Sequence, residues 1–225
     1  MTGRCMIVDI SRCVGCQTCV VSCKAAAGTG PGLFRCVMRT LSEVSEAEEK
    51  AEERRFWEPL PLRLSCLQCD PAPCMEQCPA GALRRMDGLI VLDREICRGC
   101  GKCVAACPWK LISLGRRDGA YDFPRPDRGV IEGEDVREEA QGVCSSGIKK
   151  GYVADKCSFC ISPADTRQTP VCVRNCPEGA ILFGDPGDPG FAELWNRARC
   201  LPGSEELNPR LRFLRSFPVS AYSPA

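Results

Sequence analysis

The 225-residue chain contains no histidine. That absence excludes a Ser-His-Asp triad, a His-ligated zinc ion, a Rieske centre and a His-ligated haem supplied by this chain. Net charge is nearly absent too, with 30 Lys and Arg against 29 Asp and Glu. Nothing in that balance points to nucleic-acid binding or to a polybasic membrane surface. No apolar run approaches the roughly 18 residues that cross a bilayer, so no direct membrane span is expected. The first residues, MTGRCMIVDIS, carry neither an apolar h-region nor a small-residue cleavage site. The paired arginines at Arg54–Arg55, Arg84–Arg85 and Arg116–Arg117 stand too far in to be an export signal. The expectation is that the chain has no targeting signal of its own.

Against these absences stand 20 cysteines, about 9% of the chain. Without a signal peptide, that density argues against a secreted disulfide scaffold. Aligned on their spacing, sixteen of them form four quartets. These are Cys13, Cys16, Cys19, Cys23; Cys66, Cys69, Cys74, Cys78; Cys97, Cys100, Cys103, Cys107; and Cys157, Cys160, Cys172, Cys176. Short apolar runs ending near an Asp lead into them (MIVDISRC, LIVLDREIC, GYVADKC), as strands entering loops should. Small or turn-forming residues follow (CPAGAL, CPWKLI, CPEGAI). The pattern predicts short strand, cysteine loop and short helix, repeated, with a further strand near 33–41. Residues 42–55 read as a solvated helical or loop insertion, and 116–151 as a long polar loop.

A cubane [4Fe–4S] cluster takes four thiolates. A C-x2-C-x2-C loop wraps one side of the cube, while the fourth cysteine of a C-x2-C-x2-C-x3-C run tends to reach a second cluster. Two such runs face to face exchange their fourth cysteines, as in bacterial two-cluster ferredoxins. Gly15, Gly99 and Gly101 let the backbone come close to sulfide and adopt positive φ. Backbone N–H groups aimed at sulfur would raise a reduction potential. Pro79, Pro108 and Pro177 push the preceding cysteine toward extended backbone, whereas Lys24 stands in that place in the first quartet. The rival is structural zinc. Zinc prefers two pairs joined by a longer spacer, which describes only the fourth quartet, with eleven residues between Cys160 and Cys172. The NCPEGA signature there sides with the other three. Cys5, Cys36 and Cys200 read as buried small hydrophobes, and Cys144 as an exposed loop residue. Lys24, Arg98, Lys102 and Arg174 stand beside the ligands, either raising cluster potentials or serving as ordinary surface charges.

The segments CVGCQTCVVSCK, CLQCDPAPCMEQCPAGA, MDGLIVLDREICRGCGKCVAACPW and VADKCSFC…PVCVRNCPEGAILFGD resemble the four-cluster electron-transfer subunits of the dimethyl sulfoxide reductase superfamily. That superfamily includes polysulfide, thiosulfate, tetrathionate and arsenate reductase complexes. The likeness spans most of residues 5–188, and the tail NPRLRFL is similar to the polysulfide reductase branch. The resemblance implies four [4Fe–4S] clusters with nested ligation: Cys13, Cys16, Cys19 with Cys176; Cys157, Cys160, Cys172 with Cys23; Cys66, Cys69, Cys74 with Cys107; Cys97, Cys100, Cys103 with Cys78. The implied fold is α+β, two nested bacterial-ferredoxin-like units with polar loop insertions. Residues 1–59 plus 152–184 would form the outer unit, 60–115 the inner unit, 116–151 a loop insertion and 185–225 a C-terminal extension.

The resemblance implies a wire rather than a catalyst, with no catalytic residues of its own. One end, at Cys13, would face a catalytic subunit with a molybdenum or tungsten bis-pterin cofactor. The other, at Cys97, would face a quinone-reactive integral membrane subunit or another redox partner. The chain would be membrane-associated through partners, on the cytoplasmic face or exported with a signal-bearing partner. Rival readings are the electron-transfer subunit of a hydrogenase or formate dehydrogenase, and a free polyferredoxin.

Overall fold

The computed structural model describes residues 3–30, 32–40, 62–117, 151–161 and 168–215. The expected insertion at 42–55, all but the ends of the loop at 116–151, and Cys144 lie outside them. Nine short strands are described: β1 (Cys5–Asp9), β2 (Cys36–Arg39), β3 (Leu62–Ser65), β4 (Leu83–Met86), β5 (Leu89–Leu92), β6 (Ser113–Arg116), β7 (Tyr152–Asp155), β8 (Ile181–Gly184) and β9 (Leu211–Leu214). Between them run α1 (Thr18–Ala27), α2 (Pro73–Glu76), α3 (Lys102–Ala106), α4 (Val171–Arg174) and α5 (Pro189–Arg197), with a 3-10 turn at Glu205–Leu207. The result is a mixture of small strands and small helices around cysteine loops.

The strand that opens the chain is also its centre. β1 is antiparallel to β8, with Ile7 opposite Leu182, and parallel to β9, with Val8 opposite Phe213. All five of its residues are buried, which is why Cys5 to Val8 form a continuous apolar run, rather than an alternating one, before Asp9. The remaining strands pair two by two and antiparallel: β2 with β3, β4 with β5, β6 with β7. β4 and β5 are joined by Asp87-Gly88, at φ 48° and 76°. This is the two-residue turn with positive φ at both positions that matches strand twist. The β2–β3 and β6–β7 pairs each join a strand from the outer segments to one from the stretch 60–115.

Helix length follows the residue after the fourth cysteine. Where proline stands there, the helix before it is only four or five residues long. Cys107, before Pro108, is already extended at φ −80°, ψ 111°. Lys24 imposes no such stop, so α1 runs ten residues and ends at Gly28, φ 58°, a left-handed C-terminal cap. α1 packs against α4, and α2 against α3.

The main core gathers Met6, Val8, Leu64, Leu67, Phe159 and Phe213. A second core lies under β4 to β7, and a third forms where Trp195 of α5 covers Cys5 and Ile7. The C-terminal extension therefore adds α5 over one face of the β1 sheet and inserts β9 at its edge. Phe213 is fully buried. Phe213→Ala is expected to cost about 3–5 kcal/mol, read as a lowered urea midpoint against wild type under the same anaerobic conditions.

Candidate metal centres

Each quartet repeats one local geometry. The third cysteine (Cys19, Cys74, Cys103, Cys172) is the second residue of a helix in every case, and all four are buried. The loop before it turns through left-handed backbone. Gly15 and Gln17 have φ 69° and 61°, and Gly99 and Gly101, at the matching positions of the third quartet, have 65° and 71°. Glycine takes this region without a Cβ penalty, and these turns fold the x2 spacers so that their cysteines face one side. Peptide N–H groups point at the sulfurs. Ala180 donates to Cys176 Sγ at 3.3 Å, and Phe159 to Cys157 Sγ and Ala154 to Cys97 Sγ at 3.4 Å each.

The thiols gather in four groups, each drawing one member from a distant segment. Cys13 is pushed up by burial and by Cys19, Cys176 and Cys16 around it. Burial together with Cys157, Cys172 and Cys160 pushes Cys23 up to about 12. Cys69 is raised to about 12 by burial and by Cys66, Cys107 and Cys74. Cys103 is also raised to about 12, by burial and by Cys97, Cys74, Cys78 and Cys100. Numbered centres 1 to 4 in that order, they form a row, because neighbouring centres touch electrostatically through named pairs. Cys19 acts on Cys172, Cys157 on Cys66, and Cys74 on Cys103.

The surroundings of the thiols fit an iron–sulfur cluster. Cys13, Cys16, Cys19 and Cys176 line one cavity with Val8, Met38 and Ile181. Cys78, Cys97, Cys100 and Cys103 line another with Leu83, Leu92 and Leu114. Cys23, Cys157 and Cys160 line a third beside Arg35. Among the described residues, no group of three Cys, Asp or Glu side chains is set to hold a single metal ion. Such thiols ionise together only around a positively charged group, and an all-sulfur donor set with peptide N–H support suits a cubane cluster.

Two thiols depart from the upward trend. Exposed Cys16 is lowered by its hydrogen bond with Thr18, 3.4 Å between Sγ and Oγ1. Cys19 is lowered to about 6, chiefly because the Cys36 thiol donates a hydrogen bond to it, and next through Arg63. Cys36 is thus a buried neighbour of centre 1. Cys5 is buried in the third core, raised to about 11 by desolvation, and Cys200 is half-buried.

The charged residues that sequence proximity singles out lie mostly outward. Arg98, Lys102 and Arg174 are exposed. The Lys24 ammonium donates to the carbonyls of Gly30 and Leu33 and sits 4.5 Å over the Phe34 ring. Among the described residues, the buried cations beside the quartet thiols are Arg63 and Lys156, which sequence reasoning passed over. Their signal was faint: a lone arginine in the lead-in PLRLSC and a lysine beside an aspartate in VADKC.

A family described as 4Fe-4S dicluster domain matches residues 56–122, and one described as 4Fe-4S binding domain matches residues 10–27. The chain is 33% identical to a thiosulfate reductase electron transfer subunit of Salmonella typhi, over 80% of this chain and 74% of that protein. It is 31% identical to a tetrathionate reductase subunit of Salmonella typhimurium, over 82% of this chain but only 58% of that longer protein. Against the arsenate respiratory reductase iron–sulfur subunit of a Shewanella species, identity is 28% over 95% of this chain and 97% of that one.

The raised thiols predict a pH dependence. Below the ordinary thiol value of 9.0, Cys23, Cys69 and Cys103 are protonated in the unloaded chain, so iron must displace their protons. Retention of iron–sulfur absorbance against a competing chelator is expected to improve as pH rises from about 7 to 9 and to weaken toward acid; a flat profile contradicts this origin.

Proposed function

The chain belongs to the family of [4Fe–4S] iron–sulfur subunits that includes those of the tetrathionate, thiosulfate and arsenate reductases, and on that premise we propose that it is an electron-transfer subunit carrying four [4Fe–4S] clusters. The observation that carries this reading is the row of four thiol groups, each completed by a cysteine from a distant segment. Clusters bound there would supply one-electron storage.

The chain's own residues do the rest. Twelve cysteines in four loops, with Cys176, Cys23, Cys107 and Cys78 closing them, hold the clusters in nested order. That order makes 60–115 an inner ferredoxin-like unit within an outer one. Peptide N–H groups at Ala154, Phe159 and Ala180 donate to ligand sulfur and favour added negative charge. Apolar walls such as Val8, Met38, Leu83 and Leu114 keep water from the sulfurs. The ends of the row reach the surface. Exposed Cys16 and Val14 flank centre 1, and exposed Ile96 flanks centre 4.

Centre 1 would then face a catalytic subunit with a molybdenum or tungsten pterin. Centre 4 would face a quinone-binding membrane subunit or another redox protein. No helix among the described residues is long and apolar enough to cross a membrane. Attachment would come through partners, on the cytoplasmic face or after joint export with a signal-bearing subunit.

Metal analysis of the complex purified natively and anaerobically tests this. The expected result is about 16 Fe per chain beyond what its partners carry, with molybdenum or tungsten in the complex. Zinc in place of iron would overturn the cluster reading. Iron without molybdenum or tungsten would move the partner to a hydrogenase, or make the chain a free carrier. Nesting has its own test: Cys23→Ala should abolish the same paramagnetic signal as Cys157→Ala, and leave intact the one that Cys13→Ala abolishes.

A further inference from the structure

Two buried cations sit where the row of centres has its first two junctions. Arg63, in the middle of β3, is 1% exposed. Its Nη1 donates to Ser65 Oγ at 2.8 Å and to Met6 Sδ at 3.1 Å, and its Nη2 donates to Cys172 Sγ at 3.2 Å. The same side chain lines the cavity of centre 1 and hydrogen-bonds Cys19. It therefore touches a ligand of centre 1 and a ligand of centre 2. The strongest attractions on its guanidinium come from Cys36, Cys172, Cys157 and Cys19, none of them a carboxylate. The buried Asp155 carboxylate is taken up by Arg35, at 2.6 and 2.7 Å, and by Arg94 at 3.2 Å. A guanidinium buried without a carboxylate carries a heavy desolvation cost. Its counter-charge in this site has to be thiolate.

Lys156 repeats the arrangement one junction further along. It is 4% exposed, and its ammonium donates to the carbonyls of Ile90 and Cys157. Gln68 fixes that seat, donating to the Cys157 carbonyl at 2.8 Å and accepting from the Ile90 N–H at 2.7 Å. From there the ammonium acts on Cys66 and Cys74 of centre 3, while its chain neighbour Cys157 belongs to centre 2. Among the described residues, no buried cation sits beside centre 4. The groups acting on Cys103 are all thiols, and the nearby Arg98 and Arg117 are exposed.

We infer that Arg63 and Lys156 are fixed positive charges shared between centres 1 and 2 and between centres 2 and 3, and that they hold the reduction potentials of those three centres above that of centre 4. The inference rests on the four-cluster reading. Each reduction adds one electron to an assembly that is already negative. A fixed cation in a low-dielectric site stabilises the added charge far more than an exposed one does. No bond breaks and no proton moves at either residue; in a titration the electron comes from the redox mediator.

The experiment is an anaerobic potentiometric titration of the natively purified complex, followed by electron paramagnetic resonance, with iron counted per chain in every sample. In Arg63→Gln, two midpoints should fall, each by tenfold or more in the reduction equilibrium, which is 59 mV for one electron. In Lys156→Met, two should fall likewise, one of them shared with the first pair, and one midpoint should move in neither variant. Arg63→Lys keeps the charge and should stay within about threefold of wild type. Full iron with unmoved midpoints, or all four moving alike, overturns the inference. If Arg63→Gln loses iron, Lys156→Met decides alone, and its two midpoints must fall. A wild-type count short of four clusters instead defeats the functional reading, which separates the two failures.

Discussion

Crowded buried thiols are the constraint on which this molecule turns. Each centre places four sulfurs together, all but Cys16 buried or partly buried, and each ionised sulfur repels the others. Desolvation and mutual repulsion push Cys23, Cys69 and Cys103 to about 12. A chain built this way stays partly uncharged until something positive enters the quartets. The folding of the chain and the loading of its centres are therefore one thermodynamic problem.

The secondary structure shows the same dependence. Eight of the nine strands have four residues, and three of the five helices have four or five. Helices shorter than about 12–15 residues are marginal in water by themselves. Nor can two-stranded ladders as short as β4–β5 stand alone. What ties these pieces together is long-range: β9 beside β1, α1 on α4, α2 on α3, and in each centre a cysteine from far along the chain. The loops are set by local backbone, since positive φ at Gly15, Gln17, Gly99 and Gly101 is a property of the turn. The closing of each centre is a property of the whole fold.

The electrostatic pattern runs along the row rather than around any one centre. Arg63 and Lys156 are placed by strands, Arg63 within β3 and Lys156 just after β7, and both occupy the space where adjacent quartets meet. Asp155, next to Lys156, is turned the other way and bound by Arg35 and Arg94. Positive charge from Arg63 and Lys156 thus stays near the thiols, while the Asp155 carboxylate is neutralised by two arginines of its own. Lys24, Arg98, Lys102 and Arg174 also lie within two residues of ligands in sequence, but solvent or loop carbonyls screen their charge.

Much of this was legible from the residues in order. The quartets, the apolar lead-ins that became β1, β5 and β7, and the need for positive φ at the loop glycines all follow from spacing and residue type, because they are local. The short helices follow from Pro79, Pro108 and Pro177, and the long α1 from Lys24. The C-terminal strand was harder to read, since four residues of LRFL gain their meaning only beside β1. Cys36 looked like any buried cysteine until the fold set it against Cys19. Arg63 lies in a strand whose alternation would put every second side chain in water, yet the fold covers both faces of β3, and no local rule announces that. Local chemistry decided what the loops hold; three-dimensional packing decided which loops share a centre and which charges sit between them, because burial and proximity across some hundred residues are not written in any short stretch.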